Sequence, residues 1–467
     1  MRSLVPAAIF CLLLATSQAQ TNFQRILSFG PTTQSSSSPR GQLIEGSDGW
    51  VYGTTYSGGT NGSGTVFKIS KTGVGFTQMH SFTDRDFPYG GLVEANDGAL
   101  YGTTSGGGIN GSGTVFKLNK DGSGFSLLHV FPSSTGDGEQ PQANLTLGNG
   151  GVLYGTTVSG GAANRGIIFR LNPDGSGYTN LHSFAGASAD GDGSFTFASL
   201  CQGFDGALYG TTQYGGSNDL GAVFKLNPDG TDYAILHHFS GGPVDGRFPL
   251  GGLAQGSDGL LYGTTYYGGA NDLGTLFKLG TNGGAYAVLR AFTDGIQGNQ
   301  PYTGLVQDAD GTLYGTTRYG GSNDGGTVFK LNEDGSGYTV LHSFSGLGGE
   351  GSQPLAALLV GTDGALYGST YSGGDYTANG VGGTLFRLFA SNPQVVITSL
   401  TPDSGGFILS FAGGAAGRTY QVQATTNHCS GCWQTIGSST AAIDGTFRFS
   451  DATASNVPCR FYRSSGN

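Results

Sequence analysis

The sequence is short of charge, of cysteine and of long apolar runs. Only 11% of its 467 residues are charged, and acidic side chains outnumber basic ones, 31 to 21, for a net charge of −10. A nucleic-acid partner wants a basic face, so this balance argues against one. Beyond the N-terminus no stretch reaches the roughly 20 apolar residues of a membrane-spanning helix. Of the five Cys, Cys429-x-x-Cys432 has half the spacing of a zinc site, but no second pair exists to complete it.

The N-terminal run is different. MRSLVPAAIFCLLLATSQAQ carries Arg2, an apolar stretch from Leu4 to Ala15, and small residues at Ser17 and Ala19. This pattern reads as a secretory signal peptide, residues 1–19, cut after Ala19. A lipoprotein signal would place a Cys at the end of the apolar run; Cys11 lies inside it. The expected protein is exported to the extracellular space or the cell surface, where its remaining four cysteines can oxidise.

Glycine is abundant, 89 residues, well above the usual share of about 7%. It recurs at fixed phase beside Tyr, Phe and Val. The marker YGTT (once YGST) begins at Tyr52, Tyr101, Tyr154, Tyr209, Tyr262, Tyr314 and Tyr367. Each copy reads as four short strands, exemplified by GGLVEAN, LYGTT, GTVFKLN and YTVLHSF. Asp-Gly turns at Asp48, Asp97, Asp205, Asp258, Asp310 and Asp363 join the first strand to the second, and NPDG at 172–175 and 227–230 supplies a further turn. Copy three departs, with Asn149-Gly150-Gly151.

Four-stranded units of this length point to a seven-bladed β-propeller over residues 20–392. The seventh copy stops at Asn392-Pro393 without a fourth strand. FQRILSF at 23–29 has that strand's pattern, so the N-terminal strand is expected to close the ring and remove an open edge. An open solenoid or β-helix is the alternative. Residues 393–467 lose the repeat and read as a small immunoglobulin-like or fibronectin-like β-sandwich. There either Cys429 or Cys432 pairs with Cys459 in a disulfide, and the sequence does not choose between them.

The repeat DGxLYGTTxxGGxNxxGTVFKLNxDGSGYxxLHSF resembles the Gloeo-Verruco (GloVer) tandem-repeat family of exported bacterial proteins, over roughly residues 23–390. The resemblance implies a cell-surface or extracellular location and assigns no catalytic residues. It also implies a sorting anchor in many members; RFYRSSGN at the end of this sequence has no hydrophobic tail of that kind.

Candidate site residues fall into three sets. His80, His129, His182, His237 and His342 share one position in the fourth strand, expected outermost, where side chains of different blades cannot converge. Arg290 and Leu27 replace them in two copies. Seventeen residues before the marker Tyr stand Asp84, Asp137, Asp192, Asp245 and Glu350, with Ser35 and Gln297 in the other copies. These loops are expected to flank the mouth of a central channel. One reading is an acidic ring for Ca²⁺ or a cationic ligand; the other is one Asx-type turn per blade. Repeat-wide occurrence favours the turns. The third set breaks the repeat: Tyr214, Tyr266, Tyr267, Arg318, Tyr319, Tyr371 and, in an insertion, Tyr376 lie on neighbouring second-to-third-strand loops. Exposed Tyr offers a flat apolar face with a polar tip, suited to a glycan or a protein. A basic residue follows Phe in every third strand (Lys68, Lys117, Arg170, Lys225, Lys278, Lys330 and Arg387), which reads as a long side chain covering apolar surface.

These features describe an exported, non-catalytic binding protein, a monomer, with an extracellular glycan or protein as partner and no cofactor other than Ca²⁺. The alternatives are a polysaccharide lyase or glycoside hydrolase using Asp137, Glu139 or Asp192 at the channel mouth, and a structural cell-surface protein.

Overall fold

The computed structural model describes residues 22–466 except 31–35, 133–135, 188–190, 294, 347–348, 376–381, 391–395, 404–405, 413–418, 426–433, 443–445 and 453–460. The proposed signal peptide, Tyr376 and the three C-terminal cysteines lie outside the described residues. All the described secondary structure is β. The chain divides into two compact units: a repeat unit of Phe23–Val360 with Leu366–Arg387, and a second unit centred on Leu388–Asn467.

The repeat unit contains seven four-stranded sheets, numbered here by marker copy, and the pairings in sheets 1 to 6 are antiparallel. Sheet 1 runs Ile44–Glu45, Val51–Thr55, Thr65–Ile69 and Thr77–Ser81, each strand beside the next. Sheets 2 to 6 repeat this order. Sheet 7 takes three strands from its own copy, and its fourth is Asn22–Ser28, which pairs beside Thr384–Phe389. Side chains reinforce that pairing. Arg25 Nη1 donates to Gly349 O at 2.6 Å and meets Asp375 at 2.5 Å, while Phe23 stacks on His342 with ring centroids 3.7 Å apart. The fourth strand expected at 23–29 is therefore present in the last sheet.

Each letter of YGTT has a separate task. The marker Tyr is buried between sheets, and in sheets 1, 2, 4, 5 and 6 its hydroxyl donates to an Asp of the preceding turn, as Tyr52 does to Asp48 at 2.7 Å. Gly53 lies opposite Phe67 in the register. A β-carbon there would come within 2.6 Å of the Phe67 ring, so only glycine lets that ring lie flat on the strand. The first Thr reaches the next copy, Thr54 Oγ1 donating to Gly90 O at 2.8 Å, and the second pairs within its sheet, Thr55 Oγ1 to Thr65 Oγ1 at 2.7 Å. Both hydroxyls are buried, and both are satisfied.

Apolar clusters then weld neighbouring sheets. Tyr52, Val66 and Phe82 of sheet 1 pack with Leu92, Leu100 and Phe116 of sheet 2, and equivalent clusters join the later pairs. The first strand of each copy is shorter than GGLVEAN suggests, only two residues in sheet 2, Val93–Glu94. The reason is steric. A β-carbon at Gly90 would lie 2.6 Å from Ala143 O, so the segments leading into the first strands run backbone against backbone.

The second unit holds two three-stranded sheets. One contains Val396–Asp403, Gly406–Ala412 and Phe447–Asp451; the other contains Gln434–Thr440, Thr419–Thr425 and Phe461–Gly466. Leu409, Phe411, Val422, Ala441 and Phe447 form its apolar cluster.

Candidate functional site

The histidines and carboxylates meet, but as separate sets. His129 Nε2 lies 3.2 Å from Asp137 Oδ2, and Tyr178 of the next copy donates its hydroxyl to the other oxygen. The His129 ring stacks on Tyr178 with centroids 3.6 Å apart. His182, Asp192 and Tyr233 repeat the arrangement, as do His237, Asp245 and Tyr286. His342 and Glu350 repeat it with Phe23 as the ring. Asp84 is the exception: Asp86 takes its place and accepts the N–H groups of Thr83 and Asp84. Each set ties the outer strand of one sheet to that of the next.

Burial opposes ionisation of Asp137, Asp192 and Asp245. Hydrogen bonds from His, Tyr and backbone N–H outweigh it and hold all three below the usual carboxylate range. The structure does not bring the five predicted acids together. Among the described residues no three Asp, Glu, His or Cys side chains are grouped to hold a metal ion. Sequence reasoning missed the pairing of His with acid, although a signal was present. The copies that lack the acid also lack the His: Arg290 stands with Gln297, and Leu27 with Ser35.

The third set does assemble, with partners that sequence reasoning overlooked. Tyr214, Tyr266, Tyr267 and Arg318 line one cavity of about 260 Å³, together with Phe197, Phe248 and Tyr302. Arg318 Nη1 donates to Tyr266 Oη at 3.4 Å, and its guanidinium lies 4.9 Å from the Tyr319 ring centroid. Tyr371 belongs to a second group. It lies with Tyr56 and Tyr89 around Arg40, whose guanidinium is 4.4, 4.7 and 4.7 Å from the three ring centroids. Arg40 Nη1 donates to Tyr89 Oη at 2.6 Å, and Tyr89 Oη is 3.2 Å from Tyr302 Oη.

Arg40, Tyr89 and Tyr302 also line a second cavity, of about 270 Å³, to which segments of all seven copies contribute. Its polar wall is ordered: Asn144 Nδ2 donates to Gln42 Oε1 at 3.2 Å, and Gln42 Nε2 to Leu358 O at 2.9 Å. The two cavities share Phe197, Leu250 and Tyr302. Burial raises the hydroxyl pKa of Tyr302 and Tyr266, so both remain protonated donors at ordinary pH.

The overlooked residues occupy one repeat position, twelve before the marker Tyr: Arg40, Tyr89, Gln142, Phe197, Leu250, Tyr302 and Leu355. This position varies more in chemistry than its neighbours, as a ring of side chains facing a shared cavity would. Neither Asp137, Glu139 nor Asp192 lines either cavity. The third-strand cations are used between copies instead: Lys68 Nζ donates to Lys120 O and Lys278 Nζ to Glu333 O.

Among solved structures, the chain is similar to a putative 6-phosphogluconolactonase from Bacteroides uniformis (15% identity, 86% of this chain and 100% of that one, TM-score 0.45). It is also similar to the GH74 xyloglucanase of Xanthomonas campestris (14% identity, 84% of this chain and 59% of that one, TM-score 0.48) and to a chain of the nidogen/laminin complex (14% identity, 63% and 94%, TM-score 0.40). No curated protein matches the chain. The sequence pattern of the Gloeobacter/Verrucomicrobia repeat matches residues 12–152, 134–309 and 281–410, and the chain belongs to that repeat family.

Proposed function

We propose that the protein is an exported glycan-binding protein. In this reading the seven sheets close into a seven-bladed propeller, and the ligand sits at the pair of cavities around Tyr302. Ring closure is supported by the pairing of Asn22–Ser28 in sheet 7 and by a cavity that draws on all seven copies.

The observation that carries the binding role is the concentration of Tyr and Arg around those cavities. Half-buried Tyr rings offer flat surfaces to the apolar face of a sugar ring and hydroxyls to its rim. Cavities of about 260–270 Å³ lie just below the usual range for small-molecule pockets and suit one sugar residue each. A lyase or hydrolase working through Asp137, Glu139 or Asp192 is less well supported, because those side chains stand away from both cavities. A glycan-array screen of residues 20–467, with and without Ca²⁺, tests the proposal. A reproducible glycan hit that is not cleaved supports it. A blank array would overturn it in favour of a protein partner or a structural surface role.

A further inference from the structure

We infer that the two cavities are adjacent subsites for an acidic polysaccharide. Each would read the carboxylate of one uronic-acid residue with one guanidinium, Arg40 in the first subsite and Arg318 in the second. The inference rests on the glycan-binding reading above and names the sugar class.

The argument begins with charge. Among the described residues neither Arg40 nor Arg318 has a carboxylate within ion-pair reach, although acids outnumber bases in the chain. By contrast Arg25 is paired with Asp375, and Arg247, which stacks on Phe248 and Tyr267 beside the cavity of about 260 Å³, is paired with Asp272. Nε of both Arg40 and Arg318 is sealed from solvent without an acceptor. Nη1 of each is engaged by a Tyr hydroxyl. Arg40 is also hydrogen-bonded to Tyr371 and meets no carboxylate among the described residues, whereas Nη2 of Arg318 is a donor neither bonded nor sealed, on a residue that lines its cavity. A partly desolvated cation without a counter-charge is destabilising. The surrounding Tyr rings offset part of that, and a bound carboxylate supplies the remainder.

The ligand class follows from the walls. A guanidinium takes a carboxylate in a planar fork that an ammonium lacks. Tyr302 lines both cavities and places a ring beside each Arg-bearing wall. An aromatic wall with one guanidinium, repeated in the neighbouring cavity, matches consecutive sugar residues that each carry one carboxylate.

The test is calorimetric titration of residues 20–467 with length-matched oligomers of galacturonate, glucuronate and mannuronate, with the same oligomers after reduction of every carboxyl to the alcohol, and with a sulfated galactan oligomer. At least one uronate oligomer should bind tenfold or more tighter than its reduced form and than the sulfated one. Arg40→Gln and Arg318→Gln should each weaken uronate binding at least tenfold and shrink the preference for the uronate over its reduced form. The reduction comparison uses the unaltered protein, so a variant that fails to fold does not blur the result. If the reduced oligomer binds equally, or the sulfated one binds tighter, carboxylate recognition is wrong while glycan binding stands. If neutral glycans bind and no uronate does, the same holds. If no glycan of any class binds, both readings fall.

Discussion

The hydroxyls of Tyr89 and Tyr302 lie 3.2 Å apart, although 213 positions separate the residues in the chain. Tyr89 also receives Arg40, and Tyr302 lies beneath Arg318, 5.9 Å from its guanidinium carbon to the ring centroid. This single bond therefore links the two arginine clusters. Tyr302→Phe removes the bond and keeps the ring; a net loss of about 0.5–1.5 kcal/mol is expected in denaturant unfolding. Tyr302→Ala removes the wall common to both cavities. It should weaken glycan binding at least tenfold, and retained affinity would exclude Tyr302 from the site.

Tyr267 lines the cavity of about 260 Å³ and Tyr319 stacks on its Arg318, and each lies 4.9 Å from an arginine guanidinium, that of Arg247 or Arg318. Both are half-buried and neither belongs to an intersheet cluster. The double replacement Tyr267→Ala and Tyr319→Ala should abolish glycan binding while the far-ultraviolet spectrum and melting temperature stay close to those of the parent. Unchanged binding would remove these tyrosines from the site.

Asp245 is only 5% exposed and accepts bonds from Ser240, Gly246 and Tyr286 beside His237. Its folded pKa is depressed, and the unfolded value is about 3.9. The stability it contributes is therefore present above about pH 4 and is lost as the pH falls below that. Melting temperature should drop between about pH 5 and pH 2, and Asp245→Asn should flatten part of the drop. At pH 7 that variant should cost about 1–3 kcal/mol. Parallel curves for the two proteins would show that the fold does not hold this carboxylate ionised.

Phe29 is fully buried, packs on Phe67 and Phe76 of copy 1, and follows directly on the strand that completes sheet 7. Phe29→Ala should destabilise the repeat unit by about 3–5 kcal/mol, the usual range for a buried Phe. Deleting residues 22–29 should expose the edge of Thr384–Phe389 and cause aggregation. A soluble deletion variant with an unchanged melting temperature would mean that the first strand is dispensable.

The fold was legible because its determinants are local and repeated seven times. The Gly opposite Phe, as Gly53 is to Phe67, recurs as spacing in every copy and the Asp48 turn in all but the third, and the first strand could be matched to the last by pattern alone. The candidate site was only half legible. Tyr214, Tyr266, Tyr267 and Arg318 stood out because they interrupt a repeating loop. Arg40, Tyr89 and Tyr302 did not, since each looks like an ordinary loop residue within its own copy. What gives them meaning is convergence across copies, which depends on tertiary packing. The acids misled for the opposite reason. Their periodicity suggested a ring, but Asp137, Asp192, Asp245 and Glu350 are each committed locally to a His eight or ten positions earlier, whose ring stacks on an aromatic ring of the following copy.

The strand Asn22–Ser28 is made first and used last. Gln24 bonds Arg387 across 363 positions, so most of the chain must be synthesised before that strand can find its place. Until then a growing molecule carries an unmatched strand at its start and an unmatched edge at its leading copy. The final joint is also the contact of longest range in the repeat unit, which makes it the step that should pace folding. In the closed ring proposed above, parting Asn22–Ser28 from Thr384–Phe389 is what opens the joint between copy 7 and copy 1. A label placed on the Asn22–Ser28 strand would thus report on that joint in the proposed ring.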